Sequence, residues 1–315
     1  MLDNNNEIAL SLTAPRNDNN NDNENIHKPV LLNEVIDFLN PQSGEDFVDG
    51  TVGLGGHALK ILEKTLPNGK VLGIDQDTES LKTLKSRNVE RLVLTQSNFV
   101  NLNKIVEENG FSKVDGVLLD LGISSWQLEK SGRGISFQKT ELLDMRMDPE
   151  NNELTAEEIV NTWSQEELER IFFEYGGEKF SRRIVRNIIE ERKKNRIKTT
   201  YELVGLIIRA YPQRKVRKIH PATKVFQALR IAVNKELENL DKVLPQILEI
   251  LKPSGRFVII SFHSAEDRIV KNFIRDNKRD NLLSILTKKP IVPTREEVDN
   301  NPRSRSAKLR AAVKI

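Results

Sequence analysis

The chain has 315 residues, 37% hydrophobic and 30% charged, with a formal net charge of +3, which is enough for one large domain or two ordinary ones. No stretch reaches the roughly 20 consecutive apolar residues of a membrane-spanning helix, so an integral helical membrane protein is excluded. Cysteine is absent; disulfide staples, thiol nucleophiles and zinc–thiolate sites fall together, and the composition fits a cytoplasmic location.

Residues 1–25 contain the run NDNNNDNEN, which is too poor in apolar side chains to fold and reads as a disordered tail. The first informative stretch is DGTVGLGGHA, Asp49 to Ala58. EDFVDG before and within it reads as a short buried strand. HALKILEKTL after it sets Ala58, Ile61, Leu62 and Thr65 on one helical face. Gly53, Gly55 and Ala58 fit G-x-G-x-x-G/A, and Asp75 ends the next strand where an acid accepts hydrogen bonds from ribose hydroxyls. A nucleoside cofactor is expected there. Asp49 at the mouth of the loop would repel a pyrophosphate but attract the amine and sulfonium of S-adenosylmethionine.

Further strands are expected at 46–49, 70–75, 91–95 and 114–120, with helical patterns between them, the signature of a doubly wound, mostly parallel α/β sheet. The fourth strand ends in Asp120, close to where a methyl acceptor would lie. The next convincing strand starts only at Gly255, a gap several times the length of an ordinary crossover. The insert reads as helical, with capping-box spacings at Thr155/Glu158, Ser164/Glu167 and Thr199/Glu202. Gly176 and Gly177 break one helix, and Pro221 suits the first turn of another. PIVPT and the terminal KLRAAVKI are expected to add two strands at the sheet edge. The division is a tail over 1–25, a Rossmann-like domain in two parts, 26–133 and 241–315, and a helical insertion over 134–240.

Basic stretches at Lys179 to Lys198, Arg209 to Lys224 and Arg303 to Lys314 fit contacts to phosphates, or else solvated helix faces. His27, His57, His220 and His263 lack metal-ligand spacing, and no G-x-S-x-G elbow occurs, so neither a metal site nor a hydrolase is expected.

HKPVLLNEV, DGTVGLGGHA, GIDQD, LLDLGISSWQL, DMRMD, HPATKVFQALRIAVNKEL, SFHSAEDRIVK and NPRSRSAKLRAA occur in that order from His27 to Ala312. Together they resemble the MraW family. The resemblance implies a Rossmann-like methyltransferase that uses S-adenosylmethionine to methylate N4 of a cytosine in the decoding centre of bacterial 16S ribosomal RNA, within the small subunit. It also implies cofactor contacts from Gly55, Gly56, His57, Asp75, Phe99, Asp120 and Gln127, with Asp120 as the catalytic candidate. Phe99 would cover the adenine, although a lone phenylalanine is more often core. His263 and Ser264 leave the fifth strand toward the same pocket, or form a satisfied polar strand end. The Pro-Pro-aromatic that follows the fourth strand in many amino methyltransferases is replaced here by Leu121-Gly122-Ile123. Two rival readings stand beside this one: an NAD-dependent oxidoreductase sharing the loop and Asp75, and a non-catalytic rRNA-binding assembly factor. Monomer and dimer both remain open.

Overall fold

A computed structural model describes residues 28–123, 128, 131–212 and 220–315. The expected tail, His27 and Gln127 lie outside them. Seven strands form one sheet in the order β3-β2-β1-β4-β5-β7-β6. They are β1 (Phe47–Asp49), β2 (Val71–Asp75), β3 (Leu92–Gln96), β4 (Val114–Asp120), β5 (Leu251–Ser261), β6 (Leu283–Ile285) and β7 (Lys308–Lys314). The first five pair in parallel, and β7 runs antiparallel between β5 and β6.

β4 has the bounds expected of it. β5 begins at Leu251, before Lys-Pro-Ser-Gly, because Leu251 pairs with Val114 across a register shift. PIVPT is not a strand. Ile291 makes only an isolated bridge to Leu309, and the edge strand is β6, whose three residues are too few to show a period.

Both faces of the sheet are covered. On one, α1 (Leu32–Leu39), α2 (Gly56–Lys64) and α3 (Thr78–Lys85) bury Val35, Ile61 and Leu84 against Phe47, Val71, Leu118 and Val258. On the other, α4 (Leu102–Glu108), α10 (Glu236–Ile250) and α11 (Ser264–Arg279) bury Ile105, Val243 and Val270 against Val48, Val117 and Ile259. The near-continuous burial over Val117–Leu119 of β4 and Phe257–Ser261 of β5 follows from their being covered on both faces. The expected face of α2 is internal, with Ala58, Ile61, Leu62 and Thr65 all buried.

A third core gathers Ile135 to Val233 from α5 (Ala156–Thr162), α6 (Gln165–Glu174), α7 (Ser181–Arg192), α8 (Thr200–Arg209) and α9 (Ala222–Asn234). Ser164 and Thr199 form full capping boxes with Glu167 and Glu202, while Thr155 caps the Glu158 amide alone. α6 ends just before Gly176, and Gly177 takes φ 60°, the left-handed conformation that stops a helix. DMRMD is structural: Asn234 donates to the Met145 carbonyl at 2.9 Å and accepts from the Met147 amide at 2.8 Å. A short helix, α12 (Arg295–Asn300), precedes β7. Among the described residues no helix is long and apolar enough to cross a membrane.

Candidate active site

In an open parallel sheet, ligands lie beyond the carboxyl ends of the strands where the strand order reverses. Here that point falls between β1 and β4, and Asp49, Asp75 and Asp120 are the last residues of β1, β2 and β4. Thr51 ties two of them together. Its amide donates to Asp49 Oδ1 at 3.1 Å, and its hydroxyl accepts from the Asp120 amide at 2.7 Å. Nothing in periodicity or spacing singles Thr51 out, because a threonine in a glycine-rich turn is ordinary.

The glycine turn is shaped by packing as well as by access. Gly55 caps α2 at φ 84°, and a Cβ there would meet Leu84 Cδ1 at 2.6 Å. A Cβ on Gly56 would press on Pro29 at 3.1 Å. Gly53, also at positive φ, has nothing closer than 4.0 Å to a built Cβ, so it is the glycine that keeps the cleft open. The Gly55 amide is spent on the Val52 carbonyl at 2.8 Å, and Gly56 and His57 follow as the first turn of α2. The His57 ring faces inward. Its Nε2 is 3.0 Å from the Val30 carbonyl oxygen and its Nδ1 3.9 Å from Asp120 Oδ2.

Asp75 accepts from the Gly53 amide at 2.8 Å and the Asp77 amide at 2.9 Å. A carboxylate has about four acceptor sites, so capacity remains for ribose hydroxyls. Phe99 is half-buried and packs against the sheet core from the turn after β3. Gln127 lies outside the described residues.

The electrostatics are unusual for a site so near water. Burial pushes the Asp49 carboxyl up to about 7, against the hydrogen bonds from Thr51, with the charge of Asp75 adding to it. Burial also pushes Asp120 up to about 7, helped by the charges of Asp49 and Glu266. Asp75 is raised as well, chiefly by burial. Four buried side-chain atoms lack a hydrogen-bond partner among the described residues. Three of them, Asp120 Oδ1, Ser261 Oγ and His263 Nε2, sit at the ends of β4 and β5 or one turn beyond. Orphaned polar atoms are rare in folded proteins, and three of the four gather at this one edge. A cluster of carboxylates short of positive charge fits a cationic ligand and disfavours a pyrophosphate.

Behind this edge lies a second charged group. His263 caps α11 in a capping box with Glu266, whose Oε2 accepts from the Phe262 and His263 amides at 2.8 and 3.2 Å. His263 Nε2 lies 3.2 Å from Glu266 Oε1 without the alignment of a hydrogen bond. Glu236, at the start of α10, brings a carboxylate oxygen within 4.8 Å of both. A cation of the protein already serves it: Arg230 of α9 grips Glu236 in a fork at 2.7 and 2.8 Å. His263 and Ser264 therefore do leave β5 beside Asp120, while Ser261, Glu266, Arg230 and Glu236 were not foreseen. Their signal, an arginine, a serine and two acids dispersed from position 230 to 266, appears only once the chain is folded.

The basic stretches divide. On α7, Arg182, Arg183 and Arg186 point outward, whereas Arg192 donates to the Val160 and Trp163 carbonyls. The carboxyl-terminal stretch is largely consumed by the fold. Arg310 pairs with Asp267 at 2.7 Å, and Lys314 donates to the Leu248 and Leu251 carbonyls. Residues 213–219 of the middle stretch lie outside the described residues.

A doubly wound sheet with an antiparallel β7 set between β5 and β6, a glycine turn after β1 and acids closing β1, β2 and β4 define a Rossmann-like methyltransferase. The chain belongs to the MraW methylase family, whose profile matches residues 24–315. It is 46% identical over 307 residues to the ribosomal RNA small subunit methyltransferase H of Carboxydothermus hydrogenoformans, covering 92% of this chain and 98% of that protein. It is 48% identical over 298 residues to the protein of the same name from Desulfotalea psychrophila, covering 93% and 100%. An rRNA methylase structure from Streptococcus thermophilus aligns over 90% of this chain and 93% of its own, with a TM-score of 0.41 and 11% identity.

Proposed function

We propose that the protein transfers the methyl group of S-adenosylmethionine to N4 of a cytosine in the decoding centre of 16S ribosomal RNA, acting on the small ribosomal subunit in the cytoplasm. The observation that carries this reading is the row of buried acids at the switch point, with Asp120 Oδ1 unpartnered among the described residues. The relatives named for small-subunit rRNA methylation support the substrate class.

When bound, S-adenosylmethionine supplies a methyl group on a sulfonium, already a good leaving group. Asp75 would hold the ribose, Phe99 would flank the adenine, and the Gly56 and His57 amides with Asp49 would bind the polar end. An exocyclic amine is a poor nucleophile because its lone pair is delocalised into the ring. Asp120 Oδ1 accepts an N–H hydrogen bond from that amine, which localises the lone pair and aims it. Such alignment is worth up to roughly 7–11 kcal/mol. His57 positions Asp120 from behind. A base in folded RNA must be unpaired or extruded to arrive there.

Cation binding and proton binding compete at Asp49 and Asp120. Affinity for S-adenosylmethionine is expected to tighten about tenfold per titrating group from pH 6 to 8, as carboxyls near 7 ionise. S-adenosylhomocysteine, with a neutral sulfur, should respond less. Calorimetric titration of both across this range checks it, and equal slopes would mean the acids do not face the sulfonium. If six to ten phosphates are engaged, affinity for 16S rRNA should fall about 10³- to 10⁵-fold between 50 and 200 mM salt, measured by filter binding. The reading itself is tested by incubating the protein with labelled donor and small subunits lacking the modification, then identifying the methylated nucleoside.

A further inference from the structure

A cavity of about 480 Å³ opens at the seam between the helical insertion and the sheet, lined by Phe173, Glu174 and Tyr175 from one side and Leu237, Ala265 and Arg268 from the other. Its volume lies in the range of small-ligand sites. Phe173 is 62% exposed, and its ring has no aromatic partner among the described residues. Neither the core of the insertion nor that of the sheet includes it. Arg268 is exposed, and no hydrogen bond or ion pair engages it among the described residues. Glu174, the one acid on the wall, lies 3.8 Å from Arg170. An unstacked ring and an unpaired guanidinium thus share one hollow.

The position of the hollow is equally telling. Its sheet-side wall, Ser264 to Arg268, begins three residues after Ser261 ends β5, and the preceding residue, Ile260, pairs in register with Asp120. The cavity therefore lies within about one helical turn of chain from the edge where the target amine is received.

We propose that this cavity receives a nucleotide next to the target in the RNA strand, its base stacked on Phe173 and its phosphate paired with Arg268. The assignment rests on the functional reading above and extends it to a substrate subsite. Extruding a base strips its neighbours of stacking, and an aromatic platform beside the pocket restores it for any base, since each has a π-face. The phosphate gains a cation that no protein carboxylate now neutralises, with the uncommitted first-turn amides of Ser264 and Ala265 close by in the chain.

The test uses the full chain, small subunits lacking the modification, and radiolabelled S-adenosylmethionine. Phe173→Ala and Arg268→Ala are each expected to raise KM for the subunit at least about 5-fold, with kcat and donor affinity within about 2-fold of the parent. Phe173→Trp should retain the parental KM. Arg268→Ala should also flatten the logarithmic salt dependence of RNA affinity by about one unit, and Phe173→Ala should leave it unchanged. An unaltered KM in both alanine variants overturns the proposal. So does a KM raised for subunits with no change in affinity for protein-free 16S rRNA, since a ribosomal protein would then occupy the hollow. Absence of methyl transfer by the parent protein would instead overturn the functional reading beneath it.

Discussion

Replacing Asp120 with alanine is expected to slow single-turnover methyl transfer about 10²- to 10³-fold at saturating donor, the usual loss when one preorganised hydrogen-bonding group is removed. The expectation follows from its place. Asp120 closes β4 at the switch point, its amide is fixed by Thr51, and His57 sits 3.9 Å from Oδ2 while Oδ1 has no hydrogen-bond partner among the described residues. Asparagine preserves shape and an acceptor oxygen but carries no charge, so Asp120→Asn should fall between parent and alanine. The parental rate should rise from pH 6 to 8 as a carboxyl near 7 ionises, and the rate of Asp120→Asn should be flat there. Rapid-quench measurements check both.

Stability should move the opposite way. In the folded protein the Asp120 carboxyl is near 7, above its ordinary 3.8, so the folded state holds that proton more tightly than the unfolded chain. The favourable contribution is therefore present at low pH and lost as pH rises through 7. Asp120→Asn is expected to melt higher than the parent at pH 8 without donor, with the gap closing toward pH 5.

The second large effect is expected at Arg230, which pairs with Glu236 behind the edge that carries Asp120. Arg230 and Glu236 are nearly enclosed, at 11% and 13% side-chain exposure. Burial works against the charge on Arg230, but Glu236 and Glu266 outweigh it and hold the guanidinium protonated. Removing one partner of a buried pair leaves the other charged and unmatched, which destabilises by about 3–5 kcal/mol. Arg230→Met should lower the apparent melting temperature accordingly, and Arg230→Met with Glu236→Leu should recover most of the loss. The single variant has a further signature. Glu266 acts on both Arg230 and Asp120, so loss of the guanidinium should push the Asp120 carboxyl higher and move the rise of the rate profile to higher pH. A purely structural role would leave that midpoint in place.

The parts of this site that depend on neighbours in sequence were legible before folding. Strand, glycine turn and helix around Asp49 to Ala58 follow from local period and backbone freedom, and β4 from the apolar run Val117 to Leu119 closed by Asp120. PIVPT misled because proline and β-branched residues at an edge look alike whether or not a partner strand is present, and the pairing went to β6 instead. The terminal basic run misled for a related reason. Charge along a sequence says nothing of which side chains reach back, and Arg310 and Lys314 reach back. Thr51, Ser261 and the Arg230–Glu236 fork were silent because their meaning lies in contacts across long separations. The elevated carboxyls belong to the same class, since burial is a property of the assembled sheet.

The most direct measurement of the central claim is digestion of 16S rRNA after reaction of undermethylated small subunits with the protein and isotopically labelled S-adenosylmethionine, followed by mass spectrometry of the nucleosides. One labelled N4-methylcytidine per subunit, mapping to the decoding centre, is the expected result. Label on another atom or another nucleotide, or no label despite donor binding, would contradict it.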